Sequence, residues 1–218
     1  MKRAVWITLL FLVLAPAGAL ADAVPACGPA TLEAYIALGS TGCMIDDKVF
    51  NNFAYTTVNA PPDASEVAVW PLATPGDPGF SFEANWYTLG PTIDYIISFD
   101  LVVLSGGGWV KDASLIQVSG IGPGGVVTVI ETLYGGLGGV DESLYTINSE
   151  GFHQLADTTT FSPTGVFHVT KDIGLAGYAS TSLITDRFSE VPEPATLTLF
   201  GTGLVGLAGL VRRKFKKS

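Results

Sequence analysis

From Phe80 onward, apolar residues recur at every second position. Phe80, Phe82, Ala84 and Trp86 alternate with Ser81, Glu83 and Asn85. A period of two lines one face of a β-strand and leaves the other to polar groups. Tyr95, Ile97, Phe99, Leu101 and Val103 form a second set. The opposite face there carries Ile96, Ser98, Asp100, Val102 and Leu104, which predicts that both faces are largely covered. Residues 126–133 are β-branched and apolar. Further strands are predicted over 50–58, 66–70, 115–119, 144–148, 152–161, 166–173 and 178–188. Gly- and Pro-rich punctuation separates them, at 61–63, 75–79, 106–108, 122–125, 135–136 and 138–139. Short strands with such turns predict an all-β fold, an antiparallel β-sandwich or jelly roll. Residues 29–39 give the one helical segment, with Thr31 as cap, Leu32, Tyr35 and Ile36 on one face and Gly39 as terminator.

Both ends of the chain break this pattern. Lys2 and Arg3 precede an apolar run over 4–15, and Pro16, Gly18 and small residues follow. That order reads as a removable signal peptide, residues 1–21, with cleavage after Ala21 or after Ala19. The run is too short and too soon broken for a permanent anchor. A second apolar run covers 195–211, and Arg212, Arg213, Lys214, Lys216 and Lys217 follow it. Seventeen helical residues rise about 25 Å, enough for a thin hydrocarbon core. The basic tail is expected on the cytoplasmic side.

Between the ends lies one predicted domain, residues 22–190. Counted from residue 23 to residue 190, it carries 18 Asp and Glu against Lys48, Lys111, Lys171 and Arg187, a net charge of −14. Such a surface repels nucleic acid and anionic lipid and suits solubility, cation binding or an acidic matrix. Cys27 and Cys43 are the only cysteines. In an exported chain an isolated pair reads as a disulfide, here closing a loop of about 15 residues and contributing about 3 kcal/mol. Two cysteines with no histidine nearby do not make a zinc site.

Val191-Pro192-Glu193-Pro194 stands directly before the second apolar run. The two prolines hold the backbone extended and stop a helix, leaving an accessible strip at a membrane surface. Pro-Glu-Pro, apolar span and basic cluster, in that order, resemble the PEP-CTERM sorting segment of Gram-negative bacteria. The resemblance implies that Pro192, Glu193 and Pro194 are substrate residues for an exosortase, a membrane-embedded cysteine transpeptidase. It also implies transient anchoring in the inner membrane, then a place on the cell surface or outside the cell, often with exopolysaccharide and biofilm. Residues 42–53, which include Gly42, Cys43, Ile45, Asp47, Lys48, Phe50, Asn52 and Phe53, resemble a recurrent opening among such exported proteins. Residues 74–80 and 188–190 fit the same group, whose ectodomain chemistry the resemblance does not supply.

Chemistry-bearing motifs are sparse. Gly120 to Gly125 spells G-x-G-x-x-G, but a strand follows where a nucleotide site needs a helix, so a hairpin or loop is expected. Gly201 to Gly206 repeats the pattern inside the apolar run. His153 and His168 sit in predicted strands without ligand-spaced partners and are read as structural or surface residues. Asp46, Asp47, Asp77, Asp141 and Glu142 are the calcium candidates, though EF-hand spacing is absent. No G-x-S-x-G elbow is present. Alternation assigns most of Trp70, Trp86, Trp109, Tyr87, Tyr95, Tyr134, Tyr145 and Tyr178 to the core. Trp109, after three glycines, is the one placed for exposure, although a tryptophan folded over the core edge is the simpler reading. The expectation is a non-enzymatic surface protein of the exopolysaccharide matrix, whose partners are an exosortase, the membrane, polysaccharide or other surface proteins, and no nucleic acid. The alternatives are a carbohydrate-binding module, calcium-assisted or not, and a secreted hydrolase.

Overall fold

The computed structural model describes residues 24–57, 60–135 and 139–191. The predicted signal peptide, the apolar run over 195–211, the Pro192–Pro194 motif and the basic tail lie outside them. In chain order the elements are β1 Ala30–Thr31, α1 Leu32–Ala37, β2 Cys43–Ile45, β3 Lys48–Thr57, a 3-10 turn Ala64–Glu66, β4 Ala68–Thr74 and β5 Asp77–Val103. They continue with β6 Val110–Ile121, β7 Val126–Tyr134, β8 Asp141–Ser149, β9 Phe152–Gln154, β10 Ala156–Thr164 and β11 Val166–Glu190. No helix among the described residues is long and apolar enough to cross a membrane.

All ladders between these strands are antiparallel, and they form one hydrogen-bonded network. Its spine is the pair β5–β11, matched from Gly79↔Arg187 to Val102↔Val166. Each spine strand changes its outer partner halfway. β5 pairs β4 over its first part and β3 over its last. β11 pairs β7 over its first part and β6 over its last. One layer therefore reads β1-β4-β5-β11-β6-β10, and the other β2-β3-β5-β11-β7-β8-β9.

The layers face each other because the spine folds back on itself. Lys171 and Asp186 lie on the same strand, about 50 Å apart if it were straight, yet their side chains form an ion pair. Phe82 and Phe99, both on β5, stack at 6.4 Å. The bend falls near Gly90 and Gly177, where the β11 ladder shifts register. At Gly177, φ is +66° and a Cβ would stand 2.1 Å from Gly124 O. A side chain there would force the Gly122–Gly125 loop off the corner.

This corrects the predicted strand boundaries. The segments 80–86 and 95–103 belong to one strand, as do 166–173 and 178–188, because Gly90 and Gly177 mark a corner in a continuous ladder and not a loop. The G-x-G-x-x-G segment carries the chain from β6 in one layer to β7 in the other. The second face of β5 is not covered as expected: Ile96 is 39% exposed, and Leu104, just past the strand's end, 42%. That face looks outward from the sandwich, with no third layer over it among the described residues.

The core has an aromatic side and a polar side. Phe50, Phe53, Phe80, Phe82, Phe99 and Phe188 are buried together, with Phe50–Phe80 and Phe53–Phe99 centroids at 4.8 and 5.2 Å. Helix α1 closes this side. Thr31 Oγ1 accepts from Ala34 N, and Tyr35 packs against Phe53 at 5.0 Å. The Cys27–Cys43 disulfide, with Cα atoms 4.9 Å apart, fastens the segment before α1 to β2 as expected. On the polar side, Lys171 Nζ donates to Glu131 Oε2 at 2.5 Å and pairs with Asp186, all three fully buried. Asp186 Oδ1 also accepts from Phe80 N at 2.8 Å. Asn148 Nδ2 donates to Ser119 O at 3.1 Å. The side-chain amide of Gln117, 1% exposed, meets no partner among the described residues.

Candidate functional site

The outer face of the second layer carries a row set by strand register. Asn51 lies opposite Asp100, Asp100 opposite His168, His168 opposite Tyr134, and Tyr134 opposite Asp141. Cross-strand partners share a face, so five strands present this row to one side. A register shift between Asn51 and Ala54 turns Phe53 inward and brings Asn52 to the row, at φ +53°, a conformation asparagine tolerates.

Asp100 organises the site. Its Oδ1 meets His168 Nδ1 at 2.6 Å, and its Oδ2 accepts from Asn52 Nδ2 at 2.7 Å. With Nδ1 held by the carboxylate, Nε2 is the ring nitrogen left for other contacts. Asn51 Nδ2 is tied to Ser40 O at 3.0 Å. Tyr134, 54% exposed, stands beside the histidine. Together with Val102 and Val166 these residues line a shallow depression of about 360 Å³. Its lining offers one carboxylate and no serine, threonine or cysteine. The arrangement can hold a polar ring compound edge-on through fixed donors and acceptors while an aromatic face packs on its apolar side.

The other sequence candidates scatter. Asp46 and Asp47 sit in the β2–β3 turn, where Asp47 pairs with Lys48 and accepts from Gly108 N at 2.7 Å. Asp77 begins β5, where it faces Arg187 Nη1 at 3.4 Å and Ser189 Oγ at 3.0 Å. Asp141 and Glu142 begin β8, and Glu142 accepts from Thr159 Oγ1 at 3.2 Å. Among the described residues no three His, Cys, Asp or Glu side chains converge to hold a metal ion. His153 Nδ1 meets Asn148 Oδ1 at 2.6 Å, apart from His168.

The aromatic assignment needs correction. Trp86 and Tyr95 are buried, but Trp70, Tyr87, Trp109, Tyr134, Tyr145 and Tyr178 are all 38% exposed or more. They occupy the outward phase of their strands or, for Trp109, a loop. Counting aromatics as core misses Tyr134, and no motif in the sequence marks Asp100, Asn51 or Asn52 as a binding residue. The available signal was phase: once Ile97, Phe99 and Leu101 point inward, Asp100 must point out.

Among solved structures, the chain is similar to a carbohydrate-binding module, TmCBM61, determined in complex with beta-1,4-galactotriose. Identity is 10% and the TM-score 0.42, over 64% of this chain and 88% of that one. No curated protein matches the chain. Residues 190–214 match the family model of the PEP-CTERM protein-sorting motif. The chain thus carries a PEP-CTERM protein-sorting motif, the mark of an exported protein processed through an exosortase.

Proposed function

We propose that this exported protein is a non-enzymatic, carbohydrate-binding component of the cell surface or its exopolysaccharide matrix. Its saccharide site is the depression at Asp100, His168 and Tyr134. The observation that carries the reading is the pairing of an exposed Tyr134 ring with a carboxylate that fixes both an imidazole and an amide. Sugar hydroxyls need fixed donors and acceptors, and the CH face of the ring needs an aromatic surface. The net charge of −14 over residues 23–190 favours a neutral polysaccharide over an anionic one. Glycoside hydrolysis ordinarily uses two carboxylates about 5–9 Å apart, and the lining holds one.

Affinity electrophoresis of the detergent-purified protein through gels holding neutral or acidic polysaccharides tests this. Retardation is expected by at least one neutral polysaccharide, weakened at least ten-fold by Tyr134→Ala and to a smaller degree by Asn52→Ala. Mobility unchanged in every gel, or retardation kept by Tyr134→Ala, would overturn the site. Repeating the gels with calcium and with chelator tests the expectation of calcium assistance.

A further inference from the structure

Both ends of each spine strand lie at the same end of the sandwich, opposite the Gly90–Gly177 corner. The described chain also leaves there: Val191 N donates to Trp109 O at 2.9 Å. Trp109 is 58% and Leu104 42% exposed on the loop between β5 and β6, and Val166 at the start of β11 is 58% exposed. Three residues separate Val191 from Ala195, where the apolar run begins. Four Cα steps reach at most about 14 Å. If that run is seated in a bilayer, the Trp109 loop lies within that distance of the point where the chain enters it.

The charges at this end fit such a position. Lys48, fully buried, takes both Asp47 and Glu190, the latter at 2.7 Å. Arg187 faces Asp77 at 3.4 Å. Lys111, two residues from Trp109, is exposed. Asp46 is the exposed acid of the neighbouring turn, and Asp112 is half-buried beside Lys111. Five acids thus meet three cations at this end, with Asp47, Glu190 and Asp77 paired, a smaller acidic excess than the 18 to 4 of residues 23–190 as a whole. Tryptophan and lysine are the side chains that settle at the headgroup level of a bilayer.

We infer that Trp109, with Leu104, is a lipid-interface contact that seats the ectodomain on the membrane while the sorting segment is still attached. The inference rests on the transient membrane anchoring that the PEP-CTERM resemblance implies, not on the saccharide site. It sets the molecule upright, with Leu89 and Tyr178 at the corner about 40 Å from the membrane.

The test uses the full chain in phosphatidylcholine vesicles and compares it with Trp109→Phe. The difference between their emission spectra isolates Trp109, and Trp70→Phe supplies the same difference for Trp70, a second exposed tryptophan. A nitroxide at carbon 5 of the acyl chain is expected to cut the Trp109 emission at least two-fold, more than a nitroxide at carbon 12, while aqueous iodide quenches it little. Trp70 emission is expected to respond to iodide only. If the chain floats with the vesicles but Trp109 is open to iodide, the contact is wrong and the anchoring stands. If the chain does not float, the anchoring reading fails first. Trp109 shielded from iodide and untouched by either nitroxide would mean a protein covers it, which overturns the lipid contact.

Discussion

The two sides of the core reach the same burial by opposite means. Phe50, Phe53, Phe80, Phe82, Phe99 and Phe188 fill the aromatic side with rings that need no partner. Their energy comes from area removed from water and from edge-to-face contacts. A few ångströms away, Lys171 lies over Phe99 at 5.0 Å and Phe82 at 5.8 Å while holding Glu131 and Asp186. There the energy is a balance of desolvation against attraction, and it closes only if every charge keeps its partner. Aromatic packing therefore tolerates imperfect neighbours and is indifferent to pH, whereas the buried triad is neither.

Both sides predict large losses of similar size but different character. Phe99→Ala is expected to cost about 3–5 kcal/mol in denaturant unfolding, equally at pH 5 and pH 8. Lys171→Met is expected to cost about 3–5 kcal/mol at pH 8, by stranding two carboxylates, and clearly less at pH 5. Equal pH behaviour of the two variants would break the contrast.

The next effect is the pH dependence itself. Burial, opposed by Lys171 and aided by Asp186, pushes the Glu131 carboxyl from 4.5 up to about 7. Burial alone would pull Lys171 down, but Asp186 and Glu131 outweigh it and leave it raised. A carboxyl raised in the folded state binds its proton more tightly there than in the unfolded chain. Its contribution to stability is therefore full below pH 4.5 and is lost as pH rises to about 7. Glu131→Gln is expected to flatten the melting temperature across that window by roughly 5 °C relative to the parent. A slope unchanged by the substitution would assign the pH dependence to other groups. The smallest effect is at Gln117, whose buried amide meets no partner among the described residues. Gln117→Leu is expected to raise stability by about 1–2 kcal/mol, and a loss would reveal a partner the amide depends on.

The contrast also explains what could be read from the sequence. The aromatic side was legible, because Phe80, Phe82, Phe99 and Leu101 keep strict phase and Thr31 and Gly39 bracket a helix. The disulfide was legible from two cysteines and export. The polar side was not, since Glu131, Lys171 and Asp186 are far apart in sequence and read as surface charges until the spine bends. The bend was hidden because glycine marks loops and corners alike. Of the candidate site, His168 was noted and Tyr134 misplaced, while Asp100 appears only once register aligns three strands on one row.

β11 has one more consequence, in time. Among the described residues it is the last strand to cross during export, and it alone joins β5 to both β6 and β7. Without it the ladders fall into three pieces: β5 with β1 to β4, β6 with β10, and β7 with β8 and β9. Such non-local pairing is slow to form. The sandwich cannot close until residue 190 has emerged, the residue at which the sorting motif begins. Completion of the fold and arrival of the sorting signal are thus one event in the chain's passage, so a molecule that displays the signal outside has already exposed every strand it needs.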